Sequence, residues 1–399
     1  MPNAAERPPL DVAIVMFDFG PTGVVRNALR IAAASARAGL FTELWVVQDS
    51  GSLRSEVPEG VPVRMFGAPL GTNYSRRERR RAGRTTVPKL AALLGEQRPA
   101  VLLSAGNHFH SPAAAAVRQA GGPTKLLLRI STGLPRPAGS LNPYRWLRYH
   151  HKRRKAERRH AAAHRLIAVS QEIARELTRS TAVRPGQLTV IPNGIDLARI
   201  EAAARQSFEH PWFGEGQPPV LLGVGRIDKF KNFELLIAAF ARLRRQFPLR
   251  LLILGEERNA WRHRLEALAK RLGVAADVRF EGFQPNPHVY LRRAAAYVCC
   301  SRYEGMSNAM LEAMANGCPV VATRSVTGAA ELLKDGALGP LAETTAASLA
   351  SAIAARLALP RNSEELMRRA ADYDLADTIS AYVRLLAEEA GRLTATAAA

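Results

Sequence analysis

Residues 301–331 read SRYEGMSNAMLEAMANGCPVVATRSVTGAAE, and the rest of the chain is read outward from them. An apolar run, Ala294 to Cys300, precedes them and fits a buried strand; Gly317 and Pro319 follow Glu312 as a helix stop signal. The order is therefore strand, loop, helix, strand. Ser307 or Asn308 can cap the helix, which turns the free N–H groups of its first turn toward the loop, where the positive helix end favours a phosphate. Taken as helical spacing, the eight residues from Glu304 to Glu312 separate the two carboxylates by about 12 Å along the axis and about 80° around it. Both then face one cleft. Carboxylates accept hydroxyl hydrogens, and a sugar–diphosphate–ribose molecule has hydroxyls at both ends with its charge in the middle. The spacing suits a nucleotide sugar.

A length of 399 residues predicts two domains, here residues 1–200 and 201–375, followed by a C-terminal helix over 376–399. Apolar residues make up 47% of the chain, enough for two cores. Each long apolar stretch is broken by His, Pro or charge before it reaches a bilayer's thickness, and MPNAAERPPL has no signal-peptide pattern, so a cytoplasmic location is expected. The three cysteines, Cys299, Cys300 and Cys318, read as reduced packing residues. Charge is uneven. Residues 1–200 hold 31 Lys and Arg against 13 Asp and Glu, a balance of +18, whereas residues 201–399 hold 25 against 22, or +3. Something negative is expected at the N-terminal half: anionic lipid, an acidic glycan or pyrophosphate acceptor, or nucleic acid.

Along the chain, DVAIVMFDF (11–19) reads as a strand that turns through Gly20, Pro21 and Gly23 into a helix, where small residues admit close approach of a ligand. Further strands are TELWVVQ (42–48), VPVRMFG (61–67), AVLLSAG (100–106), TKLLLRI (124–130), RLIAVS (165–170) and LTVIPNG (188–194). Their alternation with helical patterns predicts parallel sheets, which bind ligands at the carboxyl ends of their strands. That places Asn107, His108, Arg129, Ser131, Ser170, Asn193 and Asp196 under scrutiny. Arg129 suits an acceptor phosphate or pairing with a carboxylate, and His108 and His110 compete for a role at one strand end. Two basic runs account for the asymmetry: RRERRRAGR (76–84), entered through Gly71, Asn73 and Tyr74, and RWLRYHHKRRKAERR (145–159), where Trp146, Leu147 and Tyr149 accompany eight cations. Aromatics beside such a run fit peripheral docking on an anionic membrane surface. Nucleic acid is the lesser reading, since no base-reading module accompanies the charge.

Pro and Gly over about 197–218 mark the interdomain linker. PVLLGVGRIDKFKNFELL then gives strand, loop and helix, with Arg226 and Lys231 five apart in the loop, where they can neutralise a diphosphate leaving group. LRLLILGEE (249–257) and DVRFEGFQPN (277–286) follow. DYD at 372–374 has the spacing of an acidic metal motif but reads as surface.

The two glutamates inside EGMSNAMLEAMANGCPVVAT, with Gly328 and Glu331 after them, resemble the signature of the family-four (group one) retaining glycosyltransferases. The resemblance implies the GT-B fold, two Rossmann-like doubly wound domains with a last helix that crosses back to the first. It implies that Glu304 with Gly305, Met306, Ser307 and Asn308 holds the donor sugar and diphosphate, and that Glu312 holds the ribose. Gly255, Glu256, Gly282 and Phe283 would surround the base, Gly20 and Gly23 the donor phosphate or acceptor, and Asn107 and Arg129 the acceptor. His108, Arg226, Lys231 and Glu304 would form the catalytic set, without a metal or other cofactor. G-P-T-G and Arg26 depart from the adjacent glycines usual in the family at the first turn. The implied reaction moves a hexose or N-acetylhexosamine, with retention, from a UDP- or GDP-sugar to a glycan or polyprenyl-pyrophosphate-linked acceptor during envelope polysaccharide assembly, at the inner face of the plasma membrane. A nucleotide-sugar epimerase of the same fold and a non-catalytic polyanion binder are the alternatives.

Overall fold

A computed structural model of the protein describes residues 9–68, 70, 76–133, 143–180, 182–257 and 260–392. Gly71, Asn73 and Tyr74, the expected entry to the first basic run, lie outside them. The chain divides into two units. One takes the described residues up to Val169, Ala174–Ile191 and those from Asp377 on; the other takes Ser170–Ile173 and Pro192–Ala376.

The first unit is a parallel sheet of β1 (Val12–Met16), β2 (Thr42–Val46), β3 (Val63–Met65), β4 (Val101–Ser104), β5 (Lys125–Ile130), β6 (Arg165–Ala168) and β7 (Leu188–Val190). Their spatial order is β3-β2-β1-β4-β5-β6-β7. Strands such as VAIVM are buried at every position because helices cover both faces of a parallel sheet, which is why the sequence shows runs rather than alternation. The connecting helices are α1 (Gly23–Arg37), α2 (Arg76–Thr85), α3 (Val87–Gln97), α4 (His110–Ala120), α5 (Pro143–Ala162) and α6 (Gln171–Thr178). Thr22 caps α1, its hydroxyl accepting from the Val25 amide.

The second unit repeats the plan. Its strands are β8 (Val220–Val224), β9 (Arg250–Leu254), β10 (Val278–Gly282), β11 (Ala296–Cys299), β12 (Val320–Thr323) and β13 (Leu341–Ala342), in parallel order β10-β9-β8-β11-β12-β13. Helices α7 (Leu197–Ala204), α8 (Phe233–Arg244), α9 (Trp261–Arg271), α10 (His288–Arg293), α11 (Asn308–Ala315), α12 (Ala329–Leu332), α13 (Ala346–Leu357) and α14 (Ser363–Ala371) complete it. Strand order reverses between β1 and β4 in one sheet and between β8 and β11 in the other. The loops that leave those four strands therefore splay apart at each sheet's carboxyl end, and a crevice opens between them.

The last helix, α15 (Leu375–Glu389), buries Tyr382, Leu385 and Leu386 in the core of the first unit. Buried polar bonds fix its register. Arg129 Nε donates to the Tyr382 hydroxyl at 3.0 Å, and the Glu389 carboxylate accepts from Lys125 at 3.0 Å and Arg165 at 2.6 Å. Arg392 pairs with Asp11 at 2.6 Å.

Two readings of the sequence need correction here. The stretch 197–218 is not all linker: the changeover between units falls at Ile191/Pro192, and Leu197–Ala204 is helical because Asp196 accepts from the Arg199 amide and caps it. Glu304 does not continue the helix that carries Glu312. It makes a parallel bridge with Val326, and α11 starts at Asn308, so the spacing of about 12 Å computed for a continuous helix does not apply. Cys299, Cys300 and Cys318 are buried free thiols, and burial pushes the Cys318 pKa up to about 12. Among the described residues, no helix is long and apolar enough to cross a membrane.

The buried histidines generate a pH prediction. Desolvation lowers the pKa of His160 from 6.5 to about 4 and that of His110 well below 6.5. A folded pKa below the unfolded one means that the unfolded chain gains protons first as pH drops. The stability from each neutral histidine is complete above about 6.5 and is lost as pH falls toward 4. Denaturant titrations should show a loss on the order of 2 kcal/mol for His160 alone between pH 7 and pH 5. A flat stability over that interval would contradict the assignment.

Candidate functional site

The crevice of the second unit is bounded by the loops after β8 and β11, and its geometry starts with glycines. Gly225 (φ +138°) and Gly255 (φ +152°) sit where L side chains are strained. A Cβ on Gly255 would lie 1.9 Å from the Gly225 carbonyl oxygen, and one on Gly225 would lie 2.5 Å from Lys231 Cε. The missing side chains let the two loops touch and let the Lys231 stem cross the Gly225 backbone. Asp228 tightens the turn between them: its carboxylate accepts from the amides of Phe230 at 2.8 Å and Lys231 at 3.3 Å.

Lys231 Nζ thereby reaches both Glu304 carboxylate oxygens, each at 3.1 Å, with 19% and 21% of the two side chains exposed. Burial pulls the lysine pKa down, but Glu304 and the Cys299 sulfur more than offset that pull, so its pKa lies above the ordinary lysine value and the ammonium stays charged. Arg226 is near enough to oppose the rise; its guanidinium is half-exposed, 3.9 Å from Asp228.

On the far side of Glu304, its carbonyl accepts from the Thr327 amide at 2.9 Å. A Cβ on Gly328 would stand 2.6 Å from the Gly305 carbonyl oxygen, so the 325–328 turn closes onto Gly305 and the buried Met306 only with glycine at 328. Ser307, fully buried, caps α11 by accepting from the Met310 amide, and the first-turn amides of that helix end beside Glu304. Asn308 Oδ1 accepts from Asn193 Nδ2 at 2.8 Å. Glu312 is half-buried one turn further along α11. Gly282 (φ +69°) ends β10 and accepts from the Gly255 amide at 2.7 Å, which carries the exposed Phe283 and Glu256 to the neighbouring loop ends.

One loop cluster of this unit thus brings together Arg226, Lys231, Glu304 and the 305–308 turn, with Gly255 against Gly225. The chemistry available is charge neutralisation by two cations and a helix N-terminus beside a carboxylate that accepts hydroxyls. Asp228 was missed by the sequence reading, and Gly328 was read as part of the motif without the contact it makes on Gly305. An aspartate two residues ahead of a loop amide is the local signal for the first.

The first unit's candidates separate into surface and core. Gly20 donates its amide to Asp18 at 3.0 Å, and Gly23 opens α1. Asn107 braces the loops after β4 and β5, donating to the Thr132 hydroxyl at 2.7 Å and accepting from the Ser131 amide at 3.1 Å. His108 is exposed beside it. His110, only 1% exposed, is structural: Ser104 Oγ lies 2.8 Å from its Nδ1 and the Arg129 carbonyl 3.1 Å from its Nε2. Since that carbonyl can only accept, a neutral His110 carries its proton on Nε2 and takes the serine hydroxyl at Nδ1. Arg129 is buried against Tyr382, which removes its side chain from the surface where an acceptor phosphate was expected.

Residues 206–373 match the model described as glycosyl transferases group 1, and residues 21–199 match that described as glycosyltransferase family 4. The N-acetylgalactosamine-N,N'-diacetylbacillosaminyl-diphospho-undecaprenol 4-alpha-N-acetylgalactosaminyltransferase of Campylobacter jejuni is 35% identical over 168 residues, 42% of this chain and 43% of that protein. The lipopolysaccharide core biosynthesis glycosyltransferase LpsE of Rhizobium meliloti is 37% identical over 153 residues, 38% and 42% of the two chains. The chain thus matches less than half the length of these curated relatives. Among solved structures, Anabaena Alr3699/HepE in complex with UDP superposes with a TM-score of 0.69 at 19% identity, covering 96% of this chain and all of that one. The two matched models follow one another along most of the sequence, over the two doubly wound units just described, and the chain belongs to the group 1, family-four glycosyltransferases with the GT-B fold.

Proposed function

We propose that the protein transfers a hexose or N-acetylhexosamine, with retention of configuration, from a nucleoside-diphosphate sugar to a glycan or polyprenyl-linked acceptor in lipopolysaccharide or envelope polysaccharide assembly. The observation that carries this reading is the Lys231–Glu304 pair at the β8/β11 crevice, with Arg226 and the α11 N-terminus beside it. Rupture of the anomeric C–O bond leaves negative charge on the diphosphate, which Lys231, Arg226 and the helix dipole meet without a metal. Glu304 accepts sugar hydroxyls next to that charge. The acceptor oxygen bonds to the anomeric carbon on the face the phosphate leaves, and its proton passes to the departing phosphate oxygen. The undecaprenyl-linked substrate in the name of the Campylobacter relative and the lipopolysaccharide role of the Rhizobium one support the acceptor class; UDP in the Anabaena structure supports a nucleoside diphosphate donor. A membrane-borne acceptor also gives a use to Trp146 and Leu147, which α5 leaves 58% and 64% exposed among its cations, as a peripheral contact with the inner membrane face.

A thermal-shift screen across UDP, GDP and ADP sugars should raise the melting temperature with one nucleotide class. No shift with any of them would remove the donor site. With the donor so identified, Lys231→Ala should lower kcat about 10²–10³-fold while melting near the parent temperature. Undiminished turnover, or an activity that EDTA abolishes and Mg²⁺ restores, would refute the metal-free account.

Glu304→Gln separates the two halves of the pair. Loss of the carboxylate frees Lys231 for the diphosphate, so free nucleoside diphosphate should bind more tightly, by about tenfold, while transfer falls. Calorimetry and a transfer assay read the two effects, and a parallel loss of both would place Glu304 outside the sugar–phosphate junction. Conversion of the donor to an epimer without acceptor would instead favour the epimerase reading.

A further inference from the structure

We propose that the groove between α4 and α5 in the first unit binds a phosphomonoester or pyrophosphate group. The groove holds about 450 Å³, within the roughly 300–1,000 Å³ usual for small-ligand clefts. Arg118 on α4 and Arg154, Lys155, Arg158 and Arg159 on α5 line it, together with Ser111, and among the described residues no carboxylate does. Ala114 and Ala115 keep that face of α4 shallow, so a ligand can settle between the two rows of charge. Glu157, the sole acid in α5, is taken elsewhere: it accepts from Arg153 at 2.8 Å and from the Ser180 hydroxyl.

A second, independent observation comes from Arg159. Its guanidinium donates to Ser111 Oγ at 3.2 Å, yet its Nε is buried without a hydrogen-bond partner among the described residues. A desolvated cationic donor without a partner is uncommon in folded proteins, because it forfeits the water it gave up. Burial lowers the Arg159 pKa, the direction expected of a cation that lacks a counter-charge. A phosphate in the groove, which Arg159 lines, supplies that counter-charge. The ligand class follows from the donor set. Guanidinium forks match a tetrahedral anion with several free oxygens, and a dianion exposes three of them, against two for a phosphodiester. A bounded groove also suits one head group better than the extended backbone of a nucleic acid. The site lies wholly in the first unit and does not rest on the donor chemistry proposed for the second.

Isothermal titration of inorganic pyrophosphate into the full chain tests this, with Arg154→Glu/Arg158→Glu and Lys231→Ala compared in parallel. Both groove arginines are exposed, so the double variant should melt like the parent and keep its nucleotide-sugar shift. It should weaken a pyrophosphate-binding event about tenfold or more that Lys231→Ala leaves intact. Flotation with phosphatidylcholine vesicles that carry phosphatidic acid or phosphatidylglycerol separates the sources. Preference for phosphatidic acid that the double variant loses assigns a lipid head group; groove-dependent pyrophosphate binding without that preference assigns a soluble phosphate. If the double variant alters neither the titration nor the choice between vesicles, the proposal is overturned.

Discussion

The β8 loop and the β9 loop meet without side chains between them, and the donor end of the molecule depends on that contact. A Cβ on Gly255 would stand 1.9 Å from the Gly225 carbonyl oxygen, and Gly225 in turn lies under the Lys231 stem. Only with both glycines does the lysine leave the β8 loop at the height of Glu304, whose loop leaves β11 on the other side of the reversal in strand order. The ion pair is thus a result of backbone closeness. Asp228 and the turn at Gly328 hold the two partners from behind, so neither long side chain has to be ordered at the moment a ligand arrives.

Strands and their parallel arrangement were legible because burial on both faces leaves unbroken apolar runs, and β1 and β8 are such runs. Local chemistry was legible too: Ser307 is a cap both by residue type and by position, and Asp196 caps α7 although the helix behind it was taken for linker. An eight-residue helix flanked by prolines and glycines offers too few turns for its period to be read. The glutamate spacing misled for a different reason. Glycine at 305 and a buried Met306 take the chain from Glu304 into α11 by a non-helical path, and a periodicity argument applied across that break measures nothing.

Arg129 and His110 mark the boundary of what a sequence window can hold. Both follow or end strands in the way that functional side chains do. Their roles were decided by residues far away in the chain, Tyr382 for the arginine, or by which of two turn residues the fold turned inward, as with His110 and the exposed His108. Whether the partner of a polar residue is a ligand or another part of the same chain is a tertiary fact.

The charge asymmetry resolves the same way. Several cations of the first half are consumed inside its own unit: Arg64 by Glu43, Lys125 and Arg165 by Glu389, with Asp11 taking Arg392 from the C-terminus. Those pairs leave the cations of α5 with one acid on the same helix, Glu157, and that acid is committed to Arg153. Like charges a turn apart on one helix destabilise it unless something offsets them. The second unit offsets its central lysine with a glutamate of its own; α5 concentrates cations about a groove and buries a guanidinium nitrogen without a partner among the described residues, an arrangement that gains stability when an anion comes from outside the chain.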